Sequence, residues 1–104
     1  MPFTGNEDQK ISLADASKLT KKYREAIGTG EILGGYISRS ALNKILDQSD
    51  CIGIRYYYGL EEDGTPQAVV VGVLSNEDDI DDGEIAERAI LCPPNCGKKN
   101  SLNS

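Results

Sequence analysis

The chain has 104 residues, a formal net charge of −6, three cysteines and no histidine. That length suits one small domain, and without imidazole no serine–histidine–aspartate array can be built. Residues 53–104 carry ten Asp/Glu against four Lys/Arg and so hold the whole acid excess, which would repel a phosphate backbone; nucleic-acid binding is not expected.

Residues 1–10 are polar, with Pro2 and Gly5, and are expected to form a flexible lead-in. They lack the basic and apolar regions of a secretory leader, and no stretch of the chain is long and apolar enough to span a bilayer. A cytoplasmic protein with reduced thiols and no membrane contact is the expectation.

Ser12 stands where a helix N-cap belongs, with Asp15 three residues on. Leu13, Ala16, Leu19, Tyr23, Ala26 and Ile27 then fall on one side of a helix, opposite Lys18, Lys21, Lys22 and Glu25. Gly28-Thr29-Gly30 ends it. The basic cluster Lys18, Lys21, Lys22 and Arg24 reads as a solvated helix face. Ser38 caps a second helix whose inner face is Ala41, Leu42, Ile45 and Leu46.

Cys51 to Leu60 reads as a strand, with Ile52, Ile54, Tyr56 and Tyr58 on one face and Cys51, Gly53, Arg55 and Tyr57 on the other. Glu61 to Pro66 is a turn centred on Asp63-Gly64. Gln67 to Leu74 is the return strand, apolar on both faces and therefore central. A central strand needs a second neighbour, for which 35–38 and 85–91 are the candidates; residues 85–91 have both helical and strand character. Residues 75–84 form an acidic loop. With Gly83 in the sixth position of a calcium loop, Ile80 and Ile90 occupy ligand positions, so the EF-hand pattern fails. Residues 98–104 are expected to be a disordered tail.

The predicted architecture is α+β: two amphipathic helices packed on a small antiparallel sheet of about three strands, built on hairpin 51–74, within a single domain at 11–97.

Three places could carry function. In the acidic loop from Glu77 to Glu84, weak divalent-cation binding stands against the plainer reading of a solvated loop. Arg55 and Tyr57 together could recognise a carboxylate, a phosphate or a partner's backbone, against the plainer reading in which Arg55 pairs with Asp50 or Glu61 and the tyrosines pack on a helix. The three thiols, Cys51, Cys92 and Cys96, are the only soft or redox-active side chains besides one methionine. Pro93 and Pro94 prevent a helix from presenting Cys92 and Cys96 on one face. Reduced packing cysteines, a Cys92–Cys96 disulfide, or a metal site completed by a carboxylate or second chain all fit the spacing. Lys98, Lys99 and Arg88 are the only cations near enough in sequence to activate a thiol.

The run Leu46-Asp47-Gln48-Ser49-Asp50-Cys51-Ile52-Gly53-Ile54-Arg55-Tyr56-Tyr57-Tyr58-Gly59 resembles the middle of a family of small uncharacterised bacterial proteins. Val71-Gly72-Val73 and the closing Cys92-Pro93-Pro94-Asn95-Cys96 are similar too. The resemblance spans about residues 11–97 and implies that the Cys-Pro-Pro end belongs to the domain. It implies no substrate, cofactor or catalytic residue.

The functional expectation is a non-enzymatic interaction or ligand-binding module, monomeric or weakly dimeric, with a protein or small-molecule partner and no cofactor or metal. The alternative is a thiol-based metal-binding or redox-sensing protein that uses Cys51, Cys92 and Cys96.

Overall fold

The computed structural model describes residues 2–87 and 89–104. In chain order the elements are α1 (Leu13–Ile27), β1 (Gly34–Tyr36), α2 (Arg39–Leu46), β2 (Gly53–Leu60), β3 (Pro66–Val73), β4 (Ile85–Ala86) and β5 (Ile90–Cys92). This is an α+β fold, as the patterning predicts. Its strands form two antiparallel sheets, one ordered β2-β3-β4 and one pairing β1 with β5. The chain divides into two compact units, Ile37–Ala89 with the lead-in up to Glu7, and Asp8–Tyr36 with Ile90–Ser104. The range 11–97, read from the sequence as one domain, takes in parts of both.

In the first unit the hairpin sets the frame. Glu61 donates its N–H to the Thr65 carbonyl at 2.9 Å, and the Glu61 carbonyl accepts from Gly64 N at 2.9 Å. Gly64 has φ 88°, the left-handed conformation that a three-residue hairpin loop requires after a type I turn. Asp63 Oδ1 accepts from Thr65 N at 3.0 Å and braces the turn. From there β2 and β3 pair in register from Leu60↔Pro66 to Gly53↔Val73. β3 lies between β2 and β4, the central place its two apolar faces demand.

Val70, Val71 and Val73 of β3 and Ile45 of α2 are the buried apolar side chains among the described residues. Each stabilises the fold by about 1.5–3 kcal/mol through removal from water. Val70 and Gly72 lie on the α2 side of β3, and Val71 and Val73 on the other. α2 starts at Ser38, whose hydroxyl accepts from Ala41 N at 3.1 Å, and it packs on the three-stranded sheet through Ile45. Asp50, with φ 63°, turns the chain from α2 into β2.

In the second unit, Ser12 caps α1 by accepting from Asp15 N at 3.0 Å, and Gly28 closes it with φ 88° and a 3.1 Å bond from its N–H to the Arg24 carbonyl. The helix bounds match its periodicity, but none of its side chains is buried: Leu13, Leu19 and Tyr23 of the apolar stripe remain exposed. α2 lies on the three-stranded sheet. A 3.6-residue period specifies a helix and a face, and leaves open what covers that face.

The segments that could supply a third strand are both extended. Residues 85–91 divide: Ile85 and Ala86 pair with Val71 and Val70 of β3, while Ile90 and Leu91 continue into β5 and pair with Tyr36 and Gly35. Arg88 lies outside the described residues. Residues 98–104, read from composition as a disordered tail, include two acceptors for Arg24 of α1. Arg24 donates to the carbonyl oxygens of Leu102 at 2.7 Å and Ser104 at 2.6 Å, satisfying groups that composition alone leaves to water.

Candidate functional site

β2 carries two rows of side chains with opposite fates. Arg55 and Tyr57 sit on the face shared with Val71 and Val69, their partners across β3. Both reach one carboxylate. Arg55 Nη1 donates to Asp79 Oδ1 at 2.5 Å, and the Tyr57 hydroxyl donates to Asp79 Oδ2 at 2.5 Å. Arg55 also donates to the Glu77 carbonyl at 3.0 Å, and its guanidinium lies 5.9 Å from the centre of the Phe3 ring. Phe3 is held there by its N–H, which donates to the Ser75 carbonyl at 2.9 Å.

The acidic loop brings Asp79 to this place. Asp79 bridges Val73, Leu74 N donates to the Asp78 carbonyl at 2.9 Å, and Ile80 N donates to the Gly72 carbonyl at 2.8 Å. The loop thus runs beside the end of β3 as an extra half-strand. The Tyr57 phenol, then Arg55, hold the Asp79 carboxyl below the usual carboxylate range. In return Asp79 raises the Tyr57 phenol and the Arg55 guanidinium above their ordinary values.

Arg55 therefore pairs with neither Asp50 nor Glu61, the partners expected from sequence proximity. Hairpin geometry puts Glu61 at the far end of β2, and a residue 24 positions along the chain comes closer. Tyr56, Tyr57 and Tyr58 are all exposed rather than buried. Cys51 also departs from the face it was expected to share with Arg55. Regular alternation begins only at Gly53, after the turn in which Cys51 N donates to the Gln48 carbonyl. The Cys51 thiol donates to the Gly53 carbonyl at 3.3 Å and lies 2.9 Å from where a Cβ on Gly72 would be, on the α2 side.

The other row of β2 is Ile54, Tyr56, Tyr58 and Leu60. It shares the α2 face, because Ile54 sits opposite Gly72. α2 covers the near end of that face. Beyond it, Tyr56 is 60% and Leu60 76% exposed, and the Tyr56 ring meets Tyr58 edge-on at 5.8 Å.

Gln48 does work that the sequence did not signal. Its Nε2 donates to the Ile45 carbonyl at 2.8 Å, and its Oε1 accepts from Glu84 N at 2.8 Å. One amide thus ties the end of α2 to the end of the acidic loop. Gly72 and Gly83 leave room for it: a Cβ on Gly72 would stand 3.0 Å from Gln48 Nε2, and one on Gly83 would collide with Gln48 Oε1. Asp79 was missed as well. Ile80 was the available signal, since an isolected apolar residue inside an acidic run needs somewhere to pack.

In the second unit Cys92 and Cys96 form a disulfide, with Cα atoms 4.8 Å apart and the Cys92–Pro93 and Pro93–Pro94 peptides cis. The loop is held at both ends: Leu33 N donates to the Cys92 carbonyl at 2.7 Å, and Asn95 N to the Leu91 carbonyl at 3.0 Å. Cys51 belongs to the first unit and is a free thiol. Among the described residues, no group of three or more Cys, Asp or Glu side chains is placed to hold a metal ion. No helix there is long and apolar enough to cross a membrane.

No known protein-family model, curated protein or solved structure matches the chain.

Proposed function

We propose that the chain is a non-enzymatic contact module of the cytoplasm that meets a protein partner through the outer row of β2, with Tyr56 and Leu60 as its anchors. One observation carries this reading: these large apolar side chains project from a rigid strand and stay exposed, while the same strand's Arg55 and Tyr57 are engaged within the chain. Exposed tyrosine on a rigid platform supplies contact area at low entropic cost, and such residues dominate interface energetics. Arg55 and Tyr57 act in this reading as the brace that fixes the strand rather than as the contact itself.

The test is a photo-crosslinking residue placed at position 56 or, as a control, at position 44 on the exposed side of α2. Discrete cross-linked products from position 56 and none from position 44 are expected. Equal labelling from both positions would remove the reading.

A second reading rests on the Cys92–Cys96 bridge, as a thiol–disulfide couple able to report redox state. Cys51, a free thiol that donates to the Gly53 carbonyl at 3.3 Å, is the third sulfur of this reading. Cytoplasmic thiols are ordinarily held reduced, so a couple that opens and closes at the poise of the glutathione pool would favour this role.

A further inference from the structure

The two units differ in charge. Asp8–Tyr36 with Ile90–Ser104 holds seven Lys/Arg against four Asp/Glu, a net +3, and the rest of the chain holds four against thirteen, a net −9. An acidic chain thus carries a basic part, and α1 supplies four of that part's seven cations. We infer that α1 is a surface anchor for an anionic lipid layer, with Leu19 and Tyr23 reaching toward the acyl boundary and Lys18 and Lys22 among the phosphates. This contact is separate from the β2 row. No helix among the described residues is long and apolar enough to cross a membrane, which bears on spanning and not on lying at a surface.

The first ground is what α1 leaves in water. None of its side chains is buried, and Leu19 is 66% and Tyr23 48% exposed. Four positions apart, these two lie one above the other along the helix. Asp15 heads the same row, one turn before Leu19, so the contact belongs to the later turns.

The second ground is where the cations stand. Lys18 and Lys22, read from the sequence as part of a solvated face, are also four apart and form the next row beside Leu19 and Tyr23; both are exposed. Their stems can lie along the apolar row while the ammonium groups stay at headgroup depth. Arg24 is engaged elsewhere, donating to the Leu102 and Ser104 carbonyls. Glu25, the other acid of the helix, falls on the side away from Tyr23. A phosphate backbone would engage the lysines and leave Leu19 in water, whereas a headgroup layer over an acyl boundary takes both. The same layer repels the −9 unit, so the contact acts within about one Debye length, ~10 Å at ~0.1 M salt.

The test sediments the full chain with vesicles of phosphatidylcholine alone or with ~30% phosphatidylserine added. At ~0.1 M salt the anionic vesicles should bind about tenfold more tightly than the neutral ones, and most of that binding should be lost at ~0.5 M salt. Lys18→Glu with Lys22→Glu should weaken binding at least about tenfold, while Lys44→Glu in α2 should leave it unchanged. Leu19→Ser should weaken it several-fold with no change in melting temperature. With a nitroxide-headgroup lipid in the vesicles, the amides from Lys18 to Tyr23 should broaden first in isotopically labelled protein. If the double glutamate variant does not fold, Lys18→Gln with Lys22→Gln serves in its place.

Equal binding to neutral and anionic vesicles, no binding to either, or binding kept in the Lys18 and Lys22 variant would overturn the inference. So would a single-stranded RNA oligomer that displaces the vesicles and binds Leu19→Ser as well as the parent chain, since the ligand would then be nucleic acid. Self-association lost with the Lys18 and Lys22 substitutions, in place of vesicle binding, would make the occupant a second copy and overturn it too. Cross-links from position 56 test the β2 reading alone, and the vesicles test this one alone.

Discussion

Tyr57 and Asp79 are joined by a 2.5 Å hydrogen bond from the phenol to Oδ2, reaching across the central strand from β2 to the acidic loop. The remaining carboxylate oxygen takes Arg55 at 2.5 Å, so one side chain satisfies both polar residues of that face. The arrangement pins the loop and lays Arg55 over Val71 and Val73. It leaves the opposite row of β2 as the part of the strand that faces outward.

The brace predicts a pH dependence with two limits. Asp79 is depressed in the folded chain, first by the Tyr57 hydrogen bond and then by Arg55, so its contribution is present above the ordinary carboxylate value of about 4 and is lost as pH falls through the lower folded value. Tyr57 is raised, chiefly by the bond to Asp79, so its contribution is complete below about pH 10 and is lost as pH rises through the folded value. Asp79→Asn should lower the melting temperature modestly at neutral pH, and the difference from the parent chain should shrink in acid. Melts recorded from acid to alkaline pH check this; a constant difference would contradict it.

Gln48 should behave as a bracket. Gln48→Ala leaves Glu84 N without its acceptor and should destabilise the chain by about 1–2 kcal/mol. Gly72→Ala places a methyl group 2.9 Å from Cys51 Sγ and 3.2 Å from Ile80 Cδ1 in a buried site, and should cost about 1–3 kcal/mol. Gly83→Ala should destabilise through the Gln48 amide. In the double variant with Gln48→Ala that penalty should fall, giving a coupling that urea melts can resolve.

Among the described residues Ile45, 1% exposed, is the largest fully buried side chain, whereas its neighbour Leu46 is 44% exposed. Ile45→Ala should cost about 2–5 kcal/mol, and Leu46→Ala should fall well below that. Equal losses would mean that α2 seats on a different face.

The Cys92–Cys96 ring is short, so its closure should contribute about 2 kcal/mol at most. Thiol titration of the unfolded chain should find one group without reductant and three after reduction. Cys92→Ser should loosen the β1–β5 pair, seen as faster amide exchange at Leu33, without altering the melting of the hairpin.

Much of this fold is legible in the chain. Ser12 and Ser38 cap the two helices because a short hydroxyl is the best acceptor for orphan N–H groups. Asp63-Gly64 fixes the hairpin because that turn needs a positive φ. The site was only partly legible. Arg55 and Tyr57 could be singled out as a pair, but not the carboxylate they share, because Asp79 is one of several acids in a run with no periodicity. Gln48 carried no signal at all: its two bonds go to backbone groups, which any sequence supplies. Cys51 was assigned to the wrong face because one turn residue, Asp50, shifts the start of regular alternation to Gly53.

The most direct measurement compares the proteins captured by the parent chain and by Tyr56→Lys, quantified by mass spectrometry, with the melting temperatures of both recorded in parallel. The account predicts that at least one partner is lost with Tyr56→Lys, kept with Lys44→Ala, and lost without any change in melting. An identical set of captured proteins from parent and variant, with both folded, would contradict it.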